Sequence, residues 1–209
     1  TTRLKEAEEA YLGSLKVRKM IADFNPTNSE YQYAMALSYN NLGILYQFTQ
    51  RLKENEEAYK KSLGILEFLS KSNPGNSEYQ NALAKIYKNL GFLCRNTNRK
   101  SDAESHLKKA IQVLEDVCRA NPNHSEYQIN LALSHHGLGL EYSETNRLKA
   151  AEEEYQNALK ISELVAKANP ENSEYQYTRT FLLDFTTTLA FCSPRIIAPR
   201  KRRQSMPRQ

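Results

Sequence analysis

No apolar run in the 209 residues approaches the roughly 18 that a membrane helix needs, and residues 1–25 form a charged amphipathic segment without the apolar stretch of a signal peptide. These absences set aside a spanning helix and a secretory leader, so the sequence predicts a soluble chain. Cysteine is scarce. Cys94, Cys118 and Cys192 are far apart, odd in number and free of any C-x-x-C, which excludes a disulfide framework and fits reduced thiols in the cytoplasm. Acid is missing from residues 185–209, which hold Arg195, Arg200, Lys201, Arg202, Arg203 and Arg208. Taking those six charges from the net +5 leaves −1 for the rest, which argues against a nucleic-acid face on the body. The run RKRRQS leaves three readings open: a nuclear-type signal, a nucleic-acid arm or a disordered basic tail.

What the chain does contain is one phrase written four times. NPTNSEYQ begins at Asn25 and returns as NPGNSEYQ at Asn73, NPNHSEYQ at Asn121 and NPENSEYQ at Asn169, each 48 residues after the last. The proline stops a helix and drives the preceding asparagine out of the helical region, so one helix ends near Phe24. Ser29 with Gln32 reads as an S-x-x-Q capping box that starts the next helix at Ser29, and Ser77 with Gln80, Ser125 with Gln128 and Ser173 with Gln176 repeat it. A fixed period of this length predicts one elongated all-α array rather than one or two globular domains.

Between junctions lie a helical segment, a short polar turn (FTQR, NTNR or ETNR) and a second helical segment. Large and small neighbours recur seven residues apart on the first helix: Met35-Ala36 with Leu42-Gly43, Leu83-Ala84 with Leu90-Gly91, Leu131-Ala132 with Leu138-Gly139. Such pairs share a face and let two helices approach closely. Together with Tyr39, Tyr46 and Tyr59, with Tyr87, Ala103 and Ala110, and with Tyr142, Ala151, Tyr155 and Ala158, they resemble the tetratricopeptide repeat over residues 3–176. His135 stands in place of the first aromatic, Asn55 of the second-helix alanine and Cys94 of a tyrosine. The family's period is about 34, so about seven residues are added to each helix, close to two turns of 3.6, which keeps the packing face in phase.

The resemblance implies a right-handed α-solenoid of stacked antiparallel hairpins with about eight helices. Residues 1–192 form the solenoid: 1–24 an orphan second helix, 25–72, 73–120 and 121–168 full repeats, and 169–192 a terminal first helix, followed by the basic tail 193–209. It also implies a noncatalytic protein-protein interaction scaffold that binds a peptide or helix in a concave groove lined by the first helices. The residues after the packing positions predict that groove: Asn40, Ile44 and Gln47, then Lys85, Lys88, Phe92 and Arg95, then His136, Leu140 and Ser143. The Lys and Asn arrangement with which some family members hold a C-terminal carboxylate is only partial, since Ile44, Leu133 and Gly137 fall where polar residues would be needed. A cationic, partly aromatic centre suits an acidic amphipathic segment.

No enzyme signature, cofactor or metal site is expected. HHGLGL lies mid-helix, and His135 and His136 diverge as helix neighbours, a poor metal pair. The large-small pattern ends after Thr178, where Arg179-Thr180 and Thr186-Thr187 occupy those slots, either as a capping helix or as sequence foreign to the repeat. Self-association through the terminal helices, with Ala7, Tyr11 and Leu15 at one end, is the alternative role, and nucleic-acid binding through the tail a third.

Overall fold

The computed structural model describes residues 2–192, with side chains placed from Arg3 to Asp184; the basic tail expected at 193–209 lies outside the described residues. Eight helices follow in order: α1 Thr2–Phe24, α2 Ser29–Phe48, α3 Leu52–Ser72, α4 Ser77–Asn96, α5 Lys100–Ala120, α6 Ser125–Glu144, α7 Leu148–Ala168 and α8 Ser173–Cys192. Each helix packs on the next, and the most extensive pairings are α2 with α3, α4 with α5 and α6 with α7. Such stacked hairpins make an α-solenoid. Successive first helices also touch, α2 with α4 and α4 with α6, whereas no comparable contact joins α3 to α5 or α5 to α7. The first helices therefore line the tighter, inner side of the stack.

The hairpins close because small residues face large ones. Leu90 is buried, and a Cβ added to Gly91 would stand 2.7 Å from Leu107 Cγ. Each hairpin turn is a Schellman-type cap. The hydroxyls of Thr49, Thr97 and Thr145 donate to carbonyls one turn back, and Gln50, Asn98 and Asn146 take the left-handed conformation with φ of 57°, 59° and 58°.

The junctions differ from the serine cap read in the sequence. Asn28 is extended and its Oδ1 accepts the N–H groups of Glu30 and Tyr31; Asn76 does the same for Glu78 and Tyr79, and Asn172 for Tyr175. The cap is thus the asparagine one residue earlier, and Ser29 and Ser77 are already helical. His124, which replaces that asparagine, makes no capping bond. The serine and glutamine serve the stack instead. Asn121 Nδ2 donates to Ser77 Oγ at 2.8 Å and Asn169 Nδ2 to Ser125 Oγ at 3.0 Å, so consecutive junctions are tied together. Gln80 Nε2 donates to the Ser70 carbonyl and Gln176 Nε2 to that of Ala166, pinning the end of the preceding helix.

A second tie repeats at a spacing of 43 residues. Arg51 meets Glu8 at 2.6 Å, Arg99 meets Glu56 at 2.9 Å, and Arg147 meets Glu104 at 2.7 Å. Arg51 and Arg147 also lie over the rings of Tyr46 and Tyr142, at 4.4 and 4.2 Å. At the middle position Cys94 takes the tyrosine's place, and Arg99 grips Glu56 with both terminal nitrogens.

Candidate functional site

The inner face is organised by side chains that reach from one first helix to the next. Asn89 Nδ2 donates to Asn40 Oδ1 and Asn130 Nδ2 to Asn81 Oδ1, both at 3.0 Å, so an amide pair bridges α2 to α4 and another α4 to α6. Lys85 Nζ donates to Glu126 Oε1 at 2.6 Å and Arg95 Nε to Glu144 Oε1 at 2.8 Å. The cationic centre expected on α4 is therefore largely answered by carboxylates of α6. Lys88 has no ion pair among the described residues; desolvation, followed by repulsion from Lys85, brings its ammonium down to about 8.

Of the ten groove residues expected from the sequence, nine are at least partly exposed and His136 is buried. Ile44 and Gln47 are exposed, and Asn40, Lys85, Lys88, Phe92, Arg95, Leu140 and Ser143 are half-buried. His136, Phe92 and Leu140 take part in the packing between repeats. His136 is only 5% exposed, its ring 5.2 Å from that of Phe181 on α8 and 5.6 Å from that of Tyr155. Burial there, followed by the charge of Arg95, lowers its pKa to about 4. Phe92 fills the space over Gly137, where an added Cβ would stand 2.8 Å from its ring, and Leu140 packs against the neighbouring apolar cluster. For His136 and Phe92 the physical reason is shared: the inward side chain of one first helix meets the next first helix, at Phe181 and Gly137.

A cleft of about 370 Å³ opens on the inner face between α2, α4 and α6. Asn40 and Lys85, two of the residues named from the sequence, line it. Its other walls were not among them: Tyr33 and Leu37 come from α2, Glu78 and Asn81 from α4, Glu126 and Tyr127 from α6, with His124 from the junction. Three of these, Glu78, Glu126 and Tyr127, are letters of the SEYQ phrase itself, so the signal that could have found them was the repetition already read as a cap. The rings of Tyr33 and Tyr79 have centroids 4.9 Å apart, and His124 stacks on Tyr127 at 3.6 Å with an interplanar angle of 8°. Burial, then the charge of Glu78, pushes the Tyr33 hydroxyl well above its ordinary value, so it stays protonated.

The cleft presents amides, aromatic faces and paired charges. His135 Nδ1 lies 2.6 Å from Glu154 Oε2, but both are part of the α6–α7 packing. Among the described residues no cluster of His, Cys, Asp and Glu could hold a metal ion, and no helix is long and apolar enough to cross a membrane.

Comparison with known proteins bears on the repeats individually. The family described as tetratricopeptide repeat matches over residues 35–67 and again over residues 132–163. No curated protein sequence matches the chain. Among solved structures, the crystal structure of BtubC (BKLC) from P. vanneervenii is similar with a TM-score of 0.43 and 14% identity, over 100% of this chain and 99% of that one. The DHF119 filament is similar with a TM-score of 0.36 and 10% identity, over 90% of this chain and 96% of that one.

Proposed function

The chain carries tetratricopeptide repeats, and on that premise we propose that it is a noncatalytic protein-protein interaction scaffold, holding a peptide or helix of a partner along the inner face of α2, α4 and α6. The observation that carries this reading is the cleft shared by three consecutive first helices, with the Asn40 amide at its wall to meet a peptide backbone and aromatic rings to meet side chains. Asn40, Ile44, Gln47, Lys85, Lys88, Arg95 and Ser143 extend the contact surface. The surface is built before the ligand arrives, because the junction and arginine ties fix each repeat on its neighbour, and a preformed surface loses little ordering entropy on binding. The partner acts in the cytoplasm on this reading, in keeping with the free thiols of Cys94 and Cys118. Of the three cations on the inner face of α4, Lys88 is the one that an acidic residue of the partner would meet, since Lys85 and Arg95 are already paired.

Selection of a displayed random-peptide library on the full chain tests this. A consensus should emerge, and Asn40→Trp or Lys88→Glu should weaken the selected peptide at least about tenfold with helicity unchanged. Phe68→Ala, on the exposed side of α3, should leave it alone. A library that enriches nothing, or a peptide indifferent to the inner-face substitutions, refutes the scaffold.

A second reading, self-association, is favoured by α1. Tyr11 there is 39% exposed, whereas Tyr59 and Tyr155 at the matching positions of α3 and α7 are 0% and 3% exposed. Val17, 52% exposed, likewise stands where α3 and α7 carry the half-buried Ile65 and Ile161. A second copy's α8 would cover it in a head-to-tail contact that propagates unless its rotation closes. Sedimentation showing monomers at high concentration removes this reading.

A further inference from the structure

The cleft between α2, α4 and α6 carries a charge imbalance that the scaffold reading leaves unused. Its walls hold two carboxylates, Glu78 and Glu126, against one ammonium, that of Lys85. Lys85 is committed to Glu126 at 2.6 Å, and Glu126 also takes a hydrogen bond from the Asn81 side chain. Glu78 has only the Tyr33 hydroxyl as a hydrogen-bonding neighbour and no ion pair among the described residues. At the same place one repeat earlier, Glu30 accepts the Tyr79 hydroxyl at 3.1 Å, which adds a further carboxylate on that side of the stack.

The uncharged walls are equally particular. Leu37, Leu66, Ala82 and Ile86 supply an apolar floor, while Tyr33 and the stacked pair of His124 and Tyr127 supply aromatic surface. A side chain that satisfies all three features has an apolar stem, a flat polarizable head and a positive charge. Its methylenes cover the floor, its plane lies on an aromatic face, and its N–H fork meets the free carboxylate. A carboxylate side chain entering here would face Glu78 and would have to draw Lys85 away from Glu126. A neutral apolar side chain would fill the floor and leave Glu78 without a counter-charge.

We propose that this cleft binds an arginine side chain of the partner peptide, with Glu78 as its counter-charge and the Tyr33 and Tyr127 rings as its walls. The proposal rests on the scaffold reading above and narrows it: the partner is a segment with a basic residue at this point, followed along the stack by the stretch that passes Lys88.

The test uses the full chain and four fluorescein-labelled heptapeptides that differ only at the central residue, which is arginine, lysine, citrulline or glutamate. Citrulline keeps the shape of arginine without its charge, so the pair isolates the counter-charge. By anisotropy at low salt the arginine peptide should bind about tenfold tighter than the citrulline peptide, with lysine between them and glutamate weakest. Glu78→Gln should bring the arginine-to-citrulline ratio to about one, and Phe68→Ala should leave the ratio alone. Equal affinity for arginine and citrulline, a ratio that survives Glu78→Gln, or no binding by any of the four overturns the assignment. Those failures leave the scaffold standing, because the library selection assumes nothing about charge; only a library that enriches nothing removes both.

Discussion

Replacing Glu141 with leucine should make the protein more stable, against the usual effect of a substitution in a helix core. Glu141 is 0% exposed, and neither carboxylate oxygen has a hydrogen-bond partner among the described residues. The matching positions of α2 and α4 are Leu45 and Leu93, 6% and 4% exposed, so the slot is built for an apolar side chain. Burial, then repulsion from Glu144, raises the carboxyl above its ordinary value of 4.5, while Lys100, Arg95 and Arg147 pull the other way. Burying a leucine in place of the acid is worth about 1.5–3 kcal/mol, and exchanging buried charge for apolar packing about 1–4 kcal/mol. These overlap, so about 2–4 kcal/mol is the expected gain at pH 7, or roughly 5–15 °C in Tm for a chain of this length. The sign with pH follows from the raised pKa. The acid's unfavourable contribution is absent below the unfolded value and appears as pH climbs through the folded one, so the gap between parent and Glu141→Leu should widen from about pH 4.5 upward. Thermal melts of parent, Glu141→Leu and Glu141→Gln at several pH values measure this; the glutamine form should lose the pH dependence without the apolar gain. A leucine variant that melts below the parent at pH 7, or a gap that ignores pH, would refute the reasoning.

The remaining expectations concern packing, titration and the turns. Leu90→Ala should cost about 2–5 kcal/mol, and Gly91→Leu should force α4 from α5, because the added side chain meets Leu107; both are read by denaturant melts, and parent-like midpoints would show the packing register to be wrong. His136 has its pKa depressed to about 4, so its contribution is full above the ordinary 6.5 and is lost as pH falls toward 4; His136→Phe should flatten that acid-side decline in melts across the range. This window overlaps that of Glu141 with opposite sign, so differences between variant and parent, and not the parent's own pH curve, separate the two. Gln50 holds φ of 57° without the freedom of glycine, so Gln50→Gly should stabilise by up to about 1 kcal/mol, whereas Thr49→Ala in the same turn should destabilise.

The architecture was legible because it is periodic, and what was misread depended on neighbours in space. Asparagine and serine are both good helix caps and stand side by side in every junction, so composition could not choose between Asn28 and Ser29; the extended backbone of Asn28 does. Helical spacing put the expected stripe of α4 and α6 on one face of each helix. How deep each residue sits depends on the next first helix, and Phe92 is half covered because Gly137, 45 residues later, leaves room for its ring. The charges of Lys85 and Arg95 were plain in the sequence, but their partners Glu126 and Glu144 lie 41 and 49 residues away, and no rule of helix spacing links such pairs. Glu141 carried a readable signal, a glutamate in a column otherwise filled by Leu45 and Leu93, visible only when the repeats are laid over one another.

The same superposition explains why a cleft grows out of a structural motif. In the second junction Ser77 accepts from Asn121, Gln80 holds the Ser70 carbonyl, and Tyr79 is buried beside Tyr33; each of these is spent on holding repeats together. The glutamate of the phrase has no such duty within its own junction, so the stack lays down a row of carboxylates, one per repeat, along the inner edge. Their fates then differ by single departures from the repeat. Glu30 and Glu78 meet the hydroxyls of Tyr79 and Tyr33, whereas Glu126 meets Lys85, a lysine where the neighbouring repeats carry Leu37 and Leu133. Glu78 would need a cation at position 37 to be paired as Glu126 is, and that position is leucine. Periodicity therefore supplies the carboxylates and the aromatic walls, while the break in periodicity at residues 37 and 85 decides that Glu126 is paired with a cation and Glu78 is not.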